Sequence, residues 1–498
     1  MREQRKQCLG VDESNKEGHR QIKHRQGLLG SRNGVIDSRI NDGGDTATVS
    51  LFSRRPRRGS SATACTSQSR DGYDPTLIQK TFFLLHELLV TSTIFVVSIW
   101  PFLKDIAHTH LKVHEEERLP ASINDLLKPD LFARLAGRSV SQVSFADRLE
   151  QHANSTERTW LKVTYTDEAN FQQQGVASTS TPIFAKIQAR KWIVRVLMSS
   201  YDVYRNELHT YAALRLPVLT PHIHIAQWTP SRFVLAMDDL RYQDVEFPNI
   251  WDTQISKSLA KRVLSTLSKI HAKYWNHVPS GVWNDQRRPY LPAFMGMYTL
   301  HNAQQASSHN LVDVDMQRVF LTALWHWPKL RQFWSRPGNK TLCHGDPHIG
   351  NFYITHTGVV GTFDFQTKCE EHPMRDVTYF LGSSYPEDAL AQDEEELLRY
   401  YLSELHRNGV PLDQIPSYDE CILQYRMHSF YTLYAFIFFG GFANLMDSLQ
   451  TRIGVRRIVA QMKRINAAGA LYDMLDGKFD NCSCEPCSFE PNSTSIFY

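Results

Sequence analysis

The chain has 498 residues, of which 42% are hydrophobic and 21% charged. This composition excludes a wholly disordered protein, and the length exceeds one typical domain, so we expect two globular lobes and an extension. The formal charge of +3 comes from 55 Lys and Arg against 52 Asp and Glu. Such a balance gives no overall field for nucleic acid, and we expect no nucleic-acid partner. Partners must be inferred from individual sites.

Residues 1–75 come first and are predicted to be a disordered basic extension. They are rich in Arg, Ser, Gly, Asn and Gln and show no apolar periodicity, so they cannot bury enough surface to order. Residues 76–121 are predicted to hold an apolar helix and a linker. Within them, residues 81–103 approach the length of a membrane span, but His86 and Glu87 interrupt the apolar run.

Two interpretations of residues 81–103 stay open, a membrane-associated helix and a buried or interfacial one. Only residues 88–103 are free of ionisable groups, which is shorter than the ~20 residues that a span requires. The eight cysteines are scattered except for three near the C-terminus, and the region that looks globular lacks the density of a disulfide scaffold, which favours a reducing compartment. We therefore predict a cytoplasmic protein, with membrane association through residues 81–103 as a possibility and any globular domain facing the cytosol.

Residues 122–240 have the pattern of a small lobe built on an antiparallel sheet. Alternating or continuous apolar runs predict strands over 140–145, 159–165, 182–187 and 232–237, with a helix over 201–214 before the last of them. Residues 241–470 then have long helical patterns, at 254–276, 312–334, 374–382, 393–407 and 418–447. Residues 471–498 are predicted to be a flexible tail, in which we assign no role to Cys482, Cys484 and Cys487.

The candidate chemistry lies in the segment His344-Gly345-Asp346, which is followed by Asn351 and then by Asp364. A carboxylate five residues before an amide, in a loop with Gly and Pro, suits phosphoryl transfer. The carboxylate accepts the proton of an attacking hydroxyl, and the amide oxygen can reach a Mg²⁺ on the nucleotide phosphates. Two predicted strands, residues 352–355 and 359–363, return the second carboxylate to the loop.

With these motifs the sequence resembles the aminoglycoside phosphotransferase and choline kinase superfamily, and in particular its ecdysteroid-kinase-like branch. The resemblance covers about 122–450 and includes His-Gly-Asp-x-x-x-x-Asn and Asp364-Phe365-Gln366. It also includes Phe184-Ala185-Lys186-Ile187, the helix with Glu207 and a hinge over 234–240. It implies an α+β, two-lobed protein-kinase-like fold, with a small antiparallel-sheet N-lobe (122–240) and a larger, mostly helical C-lobe (241–470).

The resemblance also implies a small-molecule kinase that uses ATP and Mg²⁺ and phosphorylates an alcohol. Asp346 would be the catalytic base, and Asn351 and Asp364 would hold the metal. Lys186 would contact the nucleotide phosphates, Glu207 would fix its direction, and backbone groups near Met237 would bind adenine. We interpret His344 as a packing residue that braces the loop, because Asp346 already supplies the base.

Departures from the family leave alternatives. The loop over the nucleotide, residues 150–158, has no glycine, so close backbone approach to phosphate is harder. A catalytically degenerate, nucleotide-binding scaffold tethered to a membrane is therefore one alternative. A protein kinase is another, although a Gly-x-Gly-x-x-Gly loop, the Arg of His-Arg-Asp and an Ala-Pro-Glu motif are missing.

Three further segments have an open interpretation. The aromatic run 425–442 is either a pocket for a flat or lipophilic alcohol or helix core, and core is favoured. Residues 393–396 are acidic and read as a solvated helix start rather than a binding site for a cationic acceptor. Residues 170–181, rich in Gln and Ser, are predicted to be a mobile loop. The acceptor stays unnamed.

Overall fold

The structure is a computed structural model, and it describes ten stretches of the chain: residues 73–110, 119–146, 151–152, 156–166, 180–249, 255–282, 292–308, 311–336, 338–442 and 448–479. All of them belong to one compact unit, Arg70–Tyr498. The predictions for residues 1–72, for most of the loop 170–181 and for the three C-terminal cysteines lie outside the described residues.

An antiparallel sheet forms the N-lobe. Its strands in chain order are β1 (Val140–Phe145), β2 (Gln151–His152), β3 (Thr156–Tyr165), β4 (Thr181–Gln188), β5 (Ile223–Trp228) and β6 (Phe233–Asp238). In space they are ordered β1-β3-β4-β6-β5, with β2 beside β3. Every pair in this sheet is antiparallel. The four strands predicted from the sequence correspond to β1, β3, β4 and β6.

The two faces of the sheet pack against different helices because side chains alternate along each strand. A 3₁₀ turn, Ile123–Leu127, and helix α2 (Pro129–Ala136) cover one face, and this packing buries Phe132 and Leu161 completely. Helices α3 (Trp192–Ser200) and α4 (Val203–Ala213) lie on the other face. That second face is the one that bears the polar residues of the candidate site.

The C-lobe is mostly helical. Its helices are α5 (Lys257–Lys273), α6 (Pro292–Ser308), α7 (Val314–Trp325), α8 (Trp327–Trp334), α9 (Met374–Ser384), α10 (Glu387–Arg407), α11 (Tyr418–Phe442), α12 (Leu449–Arg464) and α13 (Ala467–Leu475). Short strands complete the lobe: β7 (Val245–Glu246), β8 (Thr341–Cys343), β9 (Phe352–Thr355), β10 (Val360–Thr362) and β11 (Cys369–Glu371). They form a β10-β9-β7 sheet and a β11-β8 pair.

Helix α9 is the centre of this lobe. All eleven of its residues are buried, and it packs against α11 and α12. Asp376 of α9 accepts the N–H groups of His344 and Gly345, so the helix lies directly behind the candidate loop. The lobe therefore offers a fixed platform for the two carboxylates.

The α+β fold predicted from the sequence, with a small antiparallel-sheet N-lobe and a larger helical C-lobe, is confirmed. Two details differ. The predicted helix 312–334 is two helices, because Pro328 stands in the first turn of α8, where its missing N–H is tolerated. The second is the end of this lobe, where α13 continues past residue 470 to Leu475 and buries Leu471 and Met474; the domain boundaries stay predictions.

Helix α1 (Leu77–His110) precedes the N-lobe and contains Pro101. It contacts α3 and α6. Within the stretches that the structure describes, no helix is both long enough and apolar enough to cross a bilayer.

Candidate active site

The two carboxylates predicted from the motif are brought to one end of the C-lobe by short strands. β8 leads into the loop with Asp346, and the β9–β10 hairpin leads to Asp364. The loop and the hairpin are joined at Asn351, whose carbonyl oxygen accepts from the Phe363 N–H at 3.1 Å and from the Thr362 hydroxyl at 2.9 Å. The predicted 352–355 and 359–363 strands are therefore correct, and they fix the two acids relative to each other.

Asp364 lies in a buried ion-pair cluster. Its Oδ2 is 3.3 Å from Lys186 Nζ, and the same ammonium is 2.8 Å from Glu207 Oε1. Lys186 is on β4, and because side chains alternate along a strand it points to the face of the sheet away from α2. Glu207 is on α4. The structure thus brings together three residues that the sequence placed far apart.

The charges in this cluster shift the pKa of each member. Burial alone would lower the pKa of Lys186, but the charges of Asp364 and Glu207 outweigh it and raise the pKa. Burial would raise the pKa of Asp364, yet the Lys186 ammonium holds it below its usual value. Burial, helped by Asp364, raises the pKa of Glu207. The Lys186 ammonium therefore favours the charged form of Asp364.

Arg158 is a second cation beside the cluster. On β3 it stands directly opposite Lys186, and residues opposite each other in an antiparallel pair point to the same face. Its charge acts on Lys186, Glu207 and Asp364. Its Nε is buried without a hydrogen-bond partner among the described residues. The sequence analysis placed Arg158 at the end of the glycine-free loop 150–158. The predicted end of that loop is wrong, because β3 begins at Thr156.

Asp364 has a feature that suits a metal ligand. Its Oδ1 is buried and accepts no hydrogen bond within the described part of the chain. The residue also has φ 67°, which a non-glycine residue adopts at a cost. Its N–H donates to the Tyr211 hydroxyl at 3.1 Å, which holds this conformation. A strained, buried carboxylate with a free oxygen fits an oxygen-seeking divalent cation.

Asn351 faces the same region. Its Nδ2 donates to the Asp346 carbonyl oxygen at 2.7 Å and more weakly to Asp346 Oδ2 at 3.3 Å. The amide nitrogen is thereby used within the loop, so the amide oxygen is the atom left for a cation. Asn351 and Asp364 therefore fit the predicted Mg²⁺ pair in their donor chemistry.

Asp346 is held by uncharged donors. The Tyr379 hydroxyl of α9 donates to its Oδ1 at 2.6 Å, and the Asn351 amide is near its Oδ2. The His348 ring is 3.8 Å from Oδ2. The Asp346 side chain keeps 20% of its surface exposed. Tyr379 thus fixes one carboxylate oxygen, and part of the Asp346 side chain stays exposed.

His344 is fully buried and braces the loop. Its Nε2 lies 3.1 Å from the Thr362 hydroxyl and 3.0 Å from the Phe363 carbonyl oxygen. Burial lowers its pKa, so the ring is neutral and donates to that carbonyl. These contacts agree with the predicted packing role. The next residue, Gly345, has φ 88°, and a Cβ there would collide with the Thr367 carbonyl oxygen, so glycine is required.

Asp376 of α9 anchors the loop from behind. Its two oxygens accept the N–H groups of His344 at 2.6 Å and of Gly345 at 3.0 Å. His271 contacts it at 3.1 Å and in turn contacts the Tyr401 hydroxyl. Sequence analysis did not predict this role for Asp376. Asp376 and Tyr379 are three residues apart and therefore lie on one face of α9. That spacing, on a helix that follows Asp364, was the sequence signal that could have indicated contacts with the loop.

A second set of contacts ties α4 to the segment after Asp364. The Asn206 amide nitrogen donates to the Gln366 carbonyl at 3.0 Å and to the Lys368 carbonyl at 2.9 Å. Lys368 Nζ returns two bonds, to the Asn206 carbonyl and to its Oδ1. Lys368 is fully buried, and burial, with Arg205 nearby, lowers its pKa to about 7. Since Asn206 precedes Glu207, these bonds set the position of the Glu207 helix.

Met237 was predicted to lie beside adenine through its backbone. It is inside β6, paired with Phe184 on one side and Ile223 on the other. Its backbone groups therefore belong to the sheet ladder. The following N–H groups, of Asp238 and Asp239, are also bonded within the lobe. The role predicted for Met237 stays a prediction, and its side chain is buried.

The aromatic run on α11 is largely core. Phe430, Tyr434, Phe436 and Phe438 are buried, whereas the side chains of Phe439 and Phe442 lie outside the described residues. Tyr431 is partly exposed and stacks under the Arg375 guanidinium, 3.6 Å from its ring centroid. The favoured interpretation, helix core, is therefore correct for the described part.

The acidic residues 393–396 lie inside α10, which begins at Glu387. Asp393 pairs with Lys257 at 2.7 Å, and Glu396 pairs with Lys257 and Lys261. Glu394 pairs with Arg464. They are therefore engaged in ion pairs, and the predicted helix start is wrong, because the helix begins six residues before Asp393.

Comparisons with known proteins agree with the geometry. Residues 191–411 match the model of the phosphotransferase enzyme family. This range contains both carboxylates but begins after Lys186. No curated protein matches the chain.

The chain is also similar to solved structures of low identity. A macrolide 2'-phosphotransferase from Brachybacterium faecium is 13% identical, with 68% of this chain and 98% of that chain covered and a TM-score of 0.36. A spectinomycin phosphotransferase in complex with ADP and spectinomycin is 14% identical, with 71% and 99% covered and a TM-score of 0.39. A choline kinase from Streptococcus pneumoniae is 12% identical, with 70% and 99% covered and a TM-score of 0.36.

Proposed function

We propose that this chain is a small-molecule kinase, which transfers the γ-phosphoryl group of ATP to a hydroxyl group of its acceptor. The observation that carries the proposal is the pair of differently held carboxylates, Asp346 with part of its side chain exposed and Asp364 ion-paired with Lys186. The family match over residues 191–411 supports it. Within the superfamily, we place the chain in the ecdysteroid-kinase-like branch on the strength of Asp364-Phe365-Gln366 and the motif before it.

Asp346 is the proposed base. The acceptor hydroxyl would donate to Oδ2, because Oδ1 is already bonded to Tyr379. As the acceptor oxygen forms its bond to the γ-phosphorus, the bond from that phosphorus to the β–γ bridging oxygen breaks and ADP leaves. The hydroxyl proton passes to Asp346. Asp376 and His344 keep the loop in place during this step.

Asn351 and Asp364 would hold Mg²⁺, through the Asn351 amide oxygen and the Asp364 oxygen that lacks a partner. When bound, the ion would neutralise negative charge on the phosphates. Lys186 would contact the phosphates, with its direction fixed by Glu207. Phosphoryl transfer depends mostly on such positioning and charge.

Arg158 would supply the phosphate contact that the glycine-free loop is less able to make. Glycine-free residues 150–158 cannot approach phosphate as closely as a glycine loop does. Arg158 adds a fixed cation on the face that bears Lys186, and its buried Nε has no partner among the described residues. We assign it to nucleotide phosphates, which would replace backbone contacts by a charged side chain.

A screen tests this function directly. Purified full-length protein is incubated with labelled ATP, Mg²⁺ and a metabolite extract, and newly labelled small molecules are identified by mass spectrometry. We expect a labelled product with the natural chain and none with Asp346→Ala, at unchanged ATP binding. Equal product from both proteins would overturn the role of Asp346.

Two other outcomes would contradict the proposal as a whole. Thermal stabilisation by Mg·ATP without any phosphorylated small molecule would indicate a nucleotide-binding scaffold. Label recovered only in protein would indicate a protein kinase. A cooperative melting transition of the natural chain separates both outcomes from an unfolded preparation.

A further inference from the structure

Helix α1 exposes a long apolar face. Nine large apolar side chains on it are more than half exposed, among them Leu77, Phe82, Leu89, Val96 and Trp100. From Ile78 to Leu103 this face extends about 38 Å at the α-helical rise. Between Lys80 and Lys104, the sequence contains one residue of the Asp, Glu, Lys and Arg set, Glu87.

The opposite face of α1 is the one that packs on the protein, and it includes carboxylates. Glu87 is 6% exposed, and burial raises its pKa. Asp105 accepts from the Thr229 hydroxyl at 3.0 Å and from the Ser231 N–H at 3.2 Å. Phe102, on the same side, lies under Arg195. The helix is therefore inverted relative to an ordinary surface helix, with acids inward and large apolar groups outward.

An exposed apolar face of this length is costly in water and marks a surface that is covered in use. We propose that the outer face of α1 lies on a phospholipid bilayer, with the helix parallel to the membrane plane. Such interfacial helices place an apolar face among the acyl chains and headgroups without crossing.

The charges around α1 favour a lipid surface. Lys104 is exposed at the end of the apolar face. The adjoining helix α3 packs on α1 through Arg195, and exposed Lys191 and Trp192 stand at its start. Residues 1–72, which precede α1, hold 14 Arg and Lys against 8 Asp and Glu, a net charge of +6. Basic residues and tryptophan are typical of segments that bind the interface of an anionic leaflet.

The composition of residues 1–72 also argues against the chain covering the face itself. This segment is polar and lacks apolar periodicity, so it offers no complementary apolar surface. The inference is independent of the proposed function, since it uses none of the residues of the active site.

Vesicle flotation tests the inference. Full-length protein is mixed with phosphatidylcholine vesicles, with or without added phosphatidylserine, and the floated fraction is measured. We expect binding that increases with phosphatidylserine, and at least a tenfold loss for the triple variant Leu85→Glu/Leu89→Glu/Val96→Glu. These side chains are exposed, so the melting temperature should not change. Val314→Glu, which alters an exposed valine on α7, is the matched control and should float as the natural chain does.

Three results would overturn the inference. The natural chain could fail to float with either vesicle composition, or the triple variant could float equally well. Analytical ultracentrifugation without vesicles could instead show a dimer that the triple variant converts to monomer, which would assign the face to a second copy of the chain.

Discussion

The two carboxylates of the site lie in opposite surroundings. Asp364 is enclosed, has a positive φ and is paired with a buried ammonium, whereas Asp346 keeps part of its surface exposed and is held by the hydroxyl of Tyr379 and the amide of Asn351. A neighbouring cation stabilises the charged form of an acid and weakens it as a base, whereas neutral donors orient it without a full opposing charge. Under the proposed function, the acid that holds charge would thus be separate from the acid that accepts a proton.

The largest expected effect comes from exchanging each acid for its amide. Asp346→Asn should lower kcat by about 10²- to 10⁴-fold with little change in the Mg²⁺ dependence, because only the proton acceptor is lost. Asp364→Asn, which tolerates the positive φ, should instead shift the Mg²⁺ titration to higher concentrations. Steady-state kinetics across a Mg²⁺ series measures both. Equal shifts of the Mg²⁺ titration in the two variants would show that the two acids do not have separate roles.

Intermediate effects are expected from changing a neighbour of each acid, and they should fall on different kinetic constants. Arg158→Met removes a cation beside Asp364 and should raise the KM for ATP about tenfold, the value of one charge-assisted hydrogen bond. Tyr379→Phe removes the donor to Asp346 and should lower kcat about tenfold at unchanged KM. Lys162→Met, on the Arg158 strand and face but exposed, is the control for charge alone. A KM effect from Tyr379→Phe would show that the two neighbourhoods are not separate.

The smallest effect concerns the segment after Asp364, through the pH dependence of stability. The pKa of Lys368 is about 7 in the folded chain and near 10.5 when unfolded, so the unfolded state binds the extra proton between these values. Stability should therefore rise as pH increases from 7 to 9, by up to about 1.4 kcal/mol per pH unit from this group. Lys368→Met should flatten that slope in urea unfolding. A slope unchanged by Lys368→Met would mean that another group is responsible.

Local patterns predicted much of the site, and long-range contacts account for what was missed. The Asp346 and Asn351 spacing and the hairpin before Asp364 lie within nineteen residues, so the sequence itself brought them together. Lys186 and Glu207 were identified through resemblance and are confirmed as an ion pair. Their catalytic roles stay predictions.

Arg158 and Lys368 could not be predicted in the same way. Arg158 matters through its register opposite Lys186, and a one-residue shift would turn it to the other face. Lys368 is a buried lysine whose partner, Asn206, is 162 positions away, so nothing near it in the sequence indicates burial. The exposed apolar face of α1 was not predicted. The sequence shows that this segment is apolar, but not which face of the helix packs against the rest of the protein.

The contacts between Asn206 and Lys368 also bear on how the chain folds. They join positions 162 residues apart, and the Lys186–Asp364 ion pair joins positions that are still farther apart. Contacts of such sequence separation form late, since loop closure must come first. The sheet and helices can therefore form while the chain is still inactive, and the ability to bind Mg·ATP should be the last property that a refolding molecule regains.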